Sequence, residues 1–253
     1  MDFPTLKIAF PTDQHVPYED REAVELAMKV IADFDPDEII VGSDGLDFYA
    51  VSKFDKDPLR GDTTKIQYEI DRWEENQRAW MSAAPRARRR FLIGNHEERL
   101  QRYLWRNPEI ADLRSLKLSK VLEFSDLEID GEPEQEIVYF DKVMFRHGSV
   151  VRKGSAMSAK AELEQAKFAM SVNTGHTHRG GTHYSRTRAG IIQANECFCL
   201  CGLQPHYDPG FVDWQQGTVL TTVGYNFLFI EPIPFTRRFG KLEAVWRGKL
   251  YQA

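Results

Sequence analysis

Carboxylate, amide and imidazole side chains gather in five short stretches of this 253-residue chain: Asp13-Gln14-His15, Asp44-Gly45-Leu46-Asp47, Gly94-Asn95-His96-Glu97, His147-Gly148 and Gly175-His176-Thr177-His178. Five of the seven histidines lie inside them, so the stretches are read as one set. In extended backbone, residues i and i+2 point the same way, so Asp13 and His15 can grip one object together, and so can His176 and His178. The flanking glycines permit tight turns and close approach of backbone to an ion or a phosphate. Mixed oxygen and imidazole donors suit Mn, Fe or Zn better than Mg or Ca. A lone Asp-x-His has an ordinary reading as loop polarity. Five such clusters, each just past the carboxyl end of a strand where open α/β sheets bind ligands, do not.

The elements that must hold these clusters are legible around them. "LKIAF", Leu6 to Phe10, reads as a buried strand ended by Pro11. Ala23, Ala27, Val30, Ile31 and Phe34 form the apolar stripe of a helix from Glu19 to Phe34, stopped by Asp35-Pro36. A second buried strand runs from Glu38 to Gly42, and "RRFLIGN" is a third, followed by helical "HEERLQRYLWR". Strand, helix, strand is the opening of an α/β protein with parallel pairing. Between them, a polar loop from Phe48 to Lys65 precedes a helix from Thr63 to Ala83, capped by Asp62 and carrying Trp73 and Trp80 as packing residues. The stretch from Leu113 to Gly131 supports no assignment. "EIVYF" and "KVMFRHG" read as a hairpin turning at Asp141-Lys142, followed by a helix from Ser158 to Met170. The remainder is mostly β: "SVNTG", "GTHYSRT", "IIQANECFCL", "GTVLTTV", "NFLFIEPIPF" and "KLEAVWRGKLY". With no repeat or linker in view, residues 1–253 are expected to form one domain.

The series D-x-H, G-[S]-D-x-x-D, G-N-H-E, H-G and G-H-x-H, in this order from Asp13 to His178, resembles the calcineurin-like metallophosphoesterases. The resemblance implies a four-layer α/β/β/α sandwich with mixed sheets and two divalent metal ions, Mn first, with Fe or Zn as alternatives. It implies that Asp13, His15, Asp44 and His178 hold one ion and that Asp44, Asn95, His147 and His176 hold the other. His96 would be the catalytic histidine, and Asp47 would support the site without ligating. The implied reaction is attack of a metal-bridging hydroxide on a phosphoester. Ser43 stands where the family usually has glycine, and a slight change in backbone approach is expected there.

Substrate is less legible. The protein-phosphatase branch carries D-x-H-G and G-D-x-x-D-R-G, whereas this chain has Val16 and Phe48-Tyr49 at the corresponding places. That favours phosphodiesters of nucleic acid or nucleotides, with phosphomonoesters of protein or small molecules as the alternative and a non-catalytic scaffold behind both. Arg86, Arg88, Arg89, Arg90, Arg99, Arg102 and Arg106, interleaved with Tyr103 and Trp105, have two readings: a nucleic-acid groove, or a solvated helix face whose aromatics turn to the core. In the loop from Phe48 to Lys65, Tyr49, Lys53 and Arg60 are candidate substrate contacts. Cys197, Cys199 and Cys201 would share one face of a strand as reduced packing residues. A net charge of −5 marks no generic nucleic-acid binder, and the chain shows neither signal peptide nor membrane span, so it reads as soluble and cytoplasmic.

Overall fold

A computed structural model describes residues 4–53, 65–166, 170–188, 190–204 and 212–253. Two mixed sheets lie face to face. The larger is ordered β11-β10-β1-β2-β3-β4, in which β1 (Thr5–Phe10), β2 (Glu38–Gly42), β3 (Arg88–Leu92) and β4 (Ile129–Glu134) run parallel. Strands β10 (Gly217–Gly224) and β11 (Phe227–Pro234) add antiparallel on the β1 side. The smaller sheet is ordered β5-β6-β7-β9-β8. Its centre, β6 (Val143–Arg146), β7 (Ser171–Thr174) and β9 (Gly190–Cys197), is parallel, and β5 (Glu136–Tyr139) and β8 (Gly180–Thr187) are antiparallel edges.

Period-2 alternation on strands buried from both sides fixes the layers. Ile8, Phe10, Ile40 and Leu92 turn toward the second sheet and meet Ile137, Tyr139, Val143 and Phe145. Ala9, Ile39, Val41 and Phe91 point the other way, under α1 (Arg21–Phe34) and α2 (Ile66–Ala83), where Trp73 and Trp80 are fully buried as expected. On the far side of the second sheet, Ala159 and Leu163 of α5 (Met157–Ala166) cover Met144, Val172 and Ala194. The order is therefore helix, sheet, sheet, helix, the layering that the motifs implied. A three-stranded antiparallel sheet, β12 (Thr236–Arg238), β13 (Lys241–Trp246) and β14 (Lys249–Gln252), closes over α1 through a Phe34–Trp246 edge contact at 5.9 Å.

Several boundaries move for local reasons. Helix α1 starts at Arg21 because Asp20 caps it, its carboxylate accepting from the amides of Glu22 and Ala23. The helix after "GNHE" is α3 (Glu98–Arg106). The unassigned stretch holds the short α4 (Leu118–Val121) and runs into the start of the edge strand β4. Asp62, Arg60 and His206 lie outside the described residues. Among those described, no helix is long and apolar enough to cross a membrane.

Candidate metal centre

Every cluster hangs from a strand end. Asp13 and His15 follow β1, Asp44 and Asp47 follow β2, and Asn95 and His96 follow β3. His147 follows β6, and His176 and His178 follow β7, so the second sheet delivers its histidines to the same edge. The local backbone is unusual: Asp13, His15, Ser43, Asp44, His176 and His178 all have φ between 50° and 73°. Left-handed backbone costs a non-glycine residue about 1–3 kcal/mol and persists where surrounding structure over-determines it. Two glycines make the crowding possible. A Cβ on Gly94 would lie 2.2 Å from Asp44 Oδ1, and one on Gly175 would lie 2.4 Å from Asp13 Oδ2.

Two groups of donors result. In the first, His15 Nε2 and His178 Nε2 are 2.9 Å apart and Asp13 Oδ1 is 3.3 Å from His178 Nε2. In the second, His147 Nε2 is 2.9 Å from Asn95 Oδ1, 3.1 Å from His176 Nδ1 and 3.1 Å from Asp44 Oδ2. Asp44 Oδ2 also lies 3.8 Å from His15 Nε2, which places Asp44 between the groups. A single ring nitrogen holds at most one proton and cannot satisfy three facing acceptors. Convergent imidazole nitrogens, carboxylates and one amide oxygen fit divalent cations, and these residues would hold them. Strand alternation would let His176 and His178 face one object, whereas the resemblance gave one to each ion. They divide between the groups, both with left-handed backbone to which the alternation of extended chain does not apply.

The electrostatics follow from the packing. Burial opposes charge on His147, but the Asp44 carboxylate outweighs it and lifts the imidazole to about 9. Burial also opposes protonation of His178, and its neighbours Cys201 and Asp13 raise it to about 10. His15 moves the other way, to about 4, through burial and the adjacent His96. Asp44 stays well below the usual carboxylate range despite its burial, because His147 and His96 surround it.

Outside the donors sits a layer that orients them. Ser43 Oγ is 2.9 Å from His147 Nδ1 and 2.8 Å from Thr12 Oγ1, so the departure from the family glycine places a hydroxyl on a candidate ligand. The Glu97 carboxylate accepts from the amides of Gly94, Asp44 and Leu46, tying the β2 and β3 loops together. Asp47 Oδ2 lies 3.3 Å from His96 Nδ1 and 3.4 Å from His15 Nδ1. Arg99, on the first turn of α3, donates to Asp47 and approaches His96 Nε2 at 2.8 Å. Cys201 Sγ is 3.7 Å from His178 Nδ1, with the Trp214 ring at 4.2 Å.

The cysteines do not share one face. Phe198 has φ 66°, which breaks the strand after Cys197. Cys197 packs between the sheets, while Cys199 and Cys201 turn to His178. All three are free and buried. His183, on β8, contacts Ser185 and belongs to neither group. Glu97 was visible in its motif. No sequence signal marked Ser43 Oγ, Cys201 or Trp214 as partners of ligands.

The arginine-rich stretch also divides. Arg86, Arg88 and Arg89 pair with Asp35, Asp130 and Glu128, and Arg90 pairs with Glu134, away from the donors. Arg99, Arg102 and Arg106 line a cleft of about 740 Å³ that opens from Asn95, His147 and His176. Trp105, expected against the core on one reading, is 70% exposed in that cleft.

The helix–sheet–sheet–helix layering is the one that the motif resemblance implied, and the two groups gather the residues it named as ligands. No protein-family model matches the chain. The Gene 54 protein of Mycobacterium phage D29 is 24% identical over 252 residues, 95% of this chain and 98% of that protein. Its namesake in Mycobacterium phage L5 is 24% identical over 269 residues, again 95% of this chain and 98% of that protein. Among solved structures, Vps29 of Cryptosporidium parvum has a TM-score of 0.49 at 13% identity, covering 100% of this chain and 99% of that one. Wild-type Vps29 of Entamoeba histolytica, solved with Zn²⁺, has a TM-score of 0.45 at 11% identity, covering 98% and 97%.

Proposed function

We propose that this protein is a dinuclear metal-dependent phosphoesterase that acts on phosphodiesters of nucleic acid or nucleotides. The observation that carries the reading is the continuity between the donors and the cationic cleft. Asn95, His147 and His176 form one end, and Lys53, Arg99, Arg102, Arg106 and Arg146 line the rest, with Glu98 the one carboxylate among the described lining residues. Such a wall attracts an anionic backbone extending beyond the reacting phosphate. The place of the phosphatase arginine is held by Phe48, fully buried and unable to touch substrate.

Two divalent ions at such a site supply Lewis-acid polarisation of the phosphoryl oxygens and an activated water at neutral pH. The chain's own residues do the rest. His96, held at Nδ1 by Asp47, turns Nε2 toward the donors, 3.8 Å from Asp44 Oδ2, where it accepts from Arg99. Once a substrate phosphate takes up that guanidinium, a protonated Nε2 can give its proton to the leaving oxygen. Arg99, beside it and lining the cleft, brings a guanidinium to the edge of the donor groups, where it can bind a phosphate.

The test compares bis-p-nitrophenyl phosphate with p-nitrophenyl phosphate, using protein reconstituted with Mn²⁺. Diester hydrolysis should exceed monoester hydrolysis, and His96→Ala should lower kcat by about 10²–10⁴-fold with its metal content retained. Preference for the monoester would overturn the diester reading. Loss of no more than a few-fold in His96→Ala would remove His96 from the chemistry.

A further inference from the structure

We infer that the cleft along α3 is a binding site for single-stranded nucleic acid, with a base stacked on Trp105 and the backbone held by Arg102 and Arg106. This rests on the phosphodiester reading for its biological sense, but on separate residues for its evidence. Trp105 exposes 70% of its surface although a tryptophan ordinarily buries some 150–250 Å². Arg102 and Arg106, its neighbours on α3, line the same cleft, so guanidinium groups share that cleft with the exposed indole. An aromatic face flanked by cations is the combination that holds unpaired bases and their phosphates.

The arginines differ in availability. Arg99 is engaged by Asp47 and His96, and Arg146 lies between Glu136 and Glu162. Arg102 shares an exposed i,i+4 pair with Glu98, an attraction worth little in water. Among the described residues, Arg106 bonds carbonyl oxygens, of Arg102 and Val51. Helical rise puts Arg106 about 10 Å beyond Arg99 along the axis, so the chain of guanidinium groups leads away from the donors. A strand whose scissile phosphate sits by Arg99 therefore continues past Arg102 and Trp105. A duplex keeps its bases stacked inside and offers nothing to the indole.

The test measures binding without turnover, in full-length His96→Ala protein, by anisotropy of fluorescein-labelled dT12 and rU12 and of a 12-base-pair duplex. Either single strand should bind at least tenfold more tightly than the duplex. Trp105→Ala should weaken single-strand binding by about tenfold or more, and Trp105→Phe should restore most of it. Arg106→Gln should reduce the slope of log K against log salt by about one phosphate contact. Equal affinity for duplex and single strand, or unchanged binding in Trp105→Ala, overturns the inference. Single-strand binding by a protein that hydrolyses no diester would sink the proposed activity and leave this site standing. Diester hydrolysis with no dependence of binding on Trp105 would do the reverse.

Discussion

Replacing Ser43 with glycine restores the residue usual at this place in the resembling family, and the structure says that restoration weakens metal binding. The Ser43 hydroxyl sits 2.9 Å from His147 Nδ1 in a buried setting. Fixing that nitrogen directs Nε2 at Asn95, His176 and Asp44. Loss of such an orienting partner costs about 10–100-fold in metal affinity, or about 1.4–2.7 kcal/mol. Stability of the metal-free protein responds differently. Ser43 has φ 53°, so glycine relieves about 1 kcal/mol of backbone strain while deleting a hydrogen bond of about 1 kcal/mol. The two offset, and the melting temperature should stay within about 2 °C. Ser43→Ala keeps the strain and loses the bond, so it should melt about 2–4 °C lower with the same deficit in affinity. Competition of each variant with a fluorescent chelator for Mn²⁺ or Zn²⁺, beside thermal melts without metal, separates the two effects. Wild-type affinity in both variants would refute the reasoning.

Two further perturbations read other parts of the structure. Glu38 is buried on β2, where desolvation outweighs Arg90 and raises its carboxyl from 4.5 to about 7. Because the folded value is the higher, the folded state resists ionisation, and stability falls as pH rises from about 4.5 to 7, by up to about 3 kcal/mol. Glu38→Gln should abolish that slope, so urea unfolding should show the variant gaining on wild type between pH 5 and pH 8; an equal difference at both would contradict the assignment. Gly175→Ala sets a Cβ against Asp13 Oδ2, Thr12 Oγ1 and Ser43 Oγ, all within 3.0 Å. It should cost about 1–3 kcal/mol and most of the bound metal, checked by melting and by elemental analysis.

What the sequence revealed, and what it hid, follows from whether the signal was local. The strands β1, β2 and β3 announce themselves as apolar runs because they are buried on both faces. The donors stand out because their types are rare and their order is that of a family. Strand β4 was invisible: "IDGEPE" carries a glycine, a proline and three acids, tolerable only on an edge, and its pairing with β3 is set by distant partners. The turn of Cys199 and Cys201 toward His178 depends on left-handed Phe198, which no period-2 pattern registers. The division of His176 from His178 was legible through the motif resemblance and not through strand alternation. The arginine-rich stretch looked uniform in sequence. Strand β3 and helix α3 point its two halves to different surfaces, which is a tertiary fact.

Both donor groups draw from both sheets: Asp13, His15, Asp44 and Asn95 from the larger, His147, His176 and His178 from the smaller. An ion held there is thus a clasp across the seam of the sandwich, which opening the two layers must release. Unfolding is then linked to free metal through RT ln(1 + [L]/Kd), about 2.7 kcal/mol at one hundred times Kd. Melting temperature becomes a gauge of occupancy, rising with the logarithm of ion concentration and falling with chelator. A series of melts across Mn²⁺, Fe²⁺ and Zn²⁺ would rank the ions by their hold on the folded protein, with no substrate in hand.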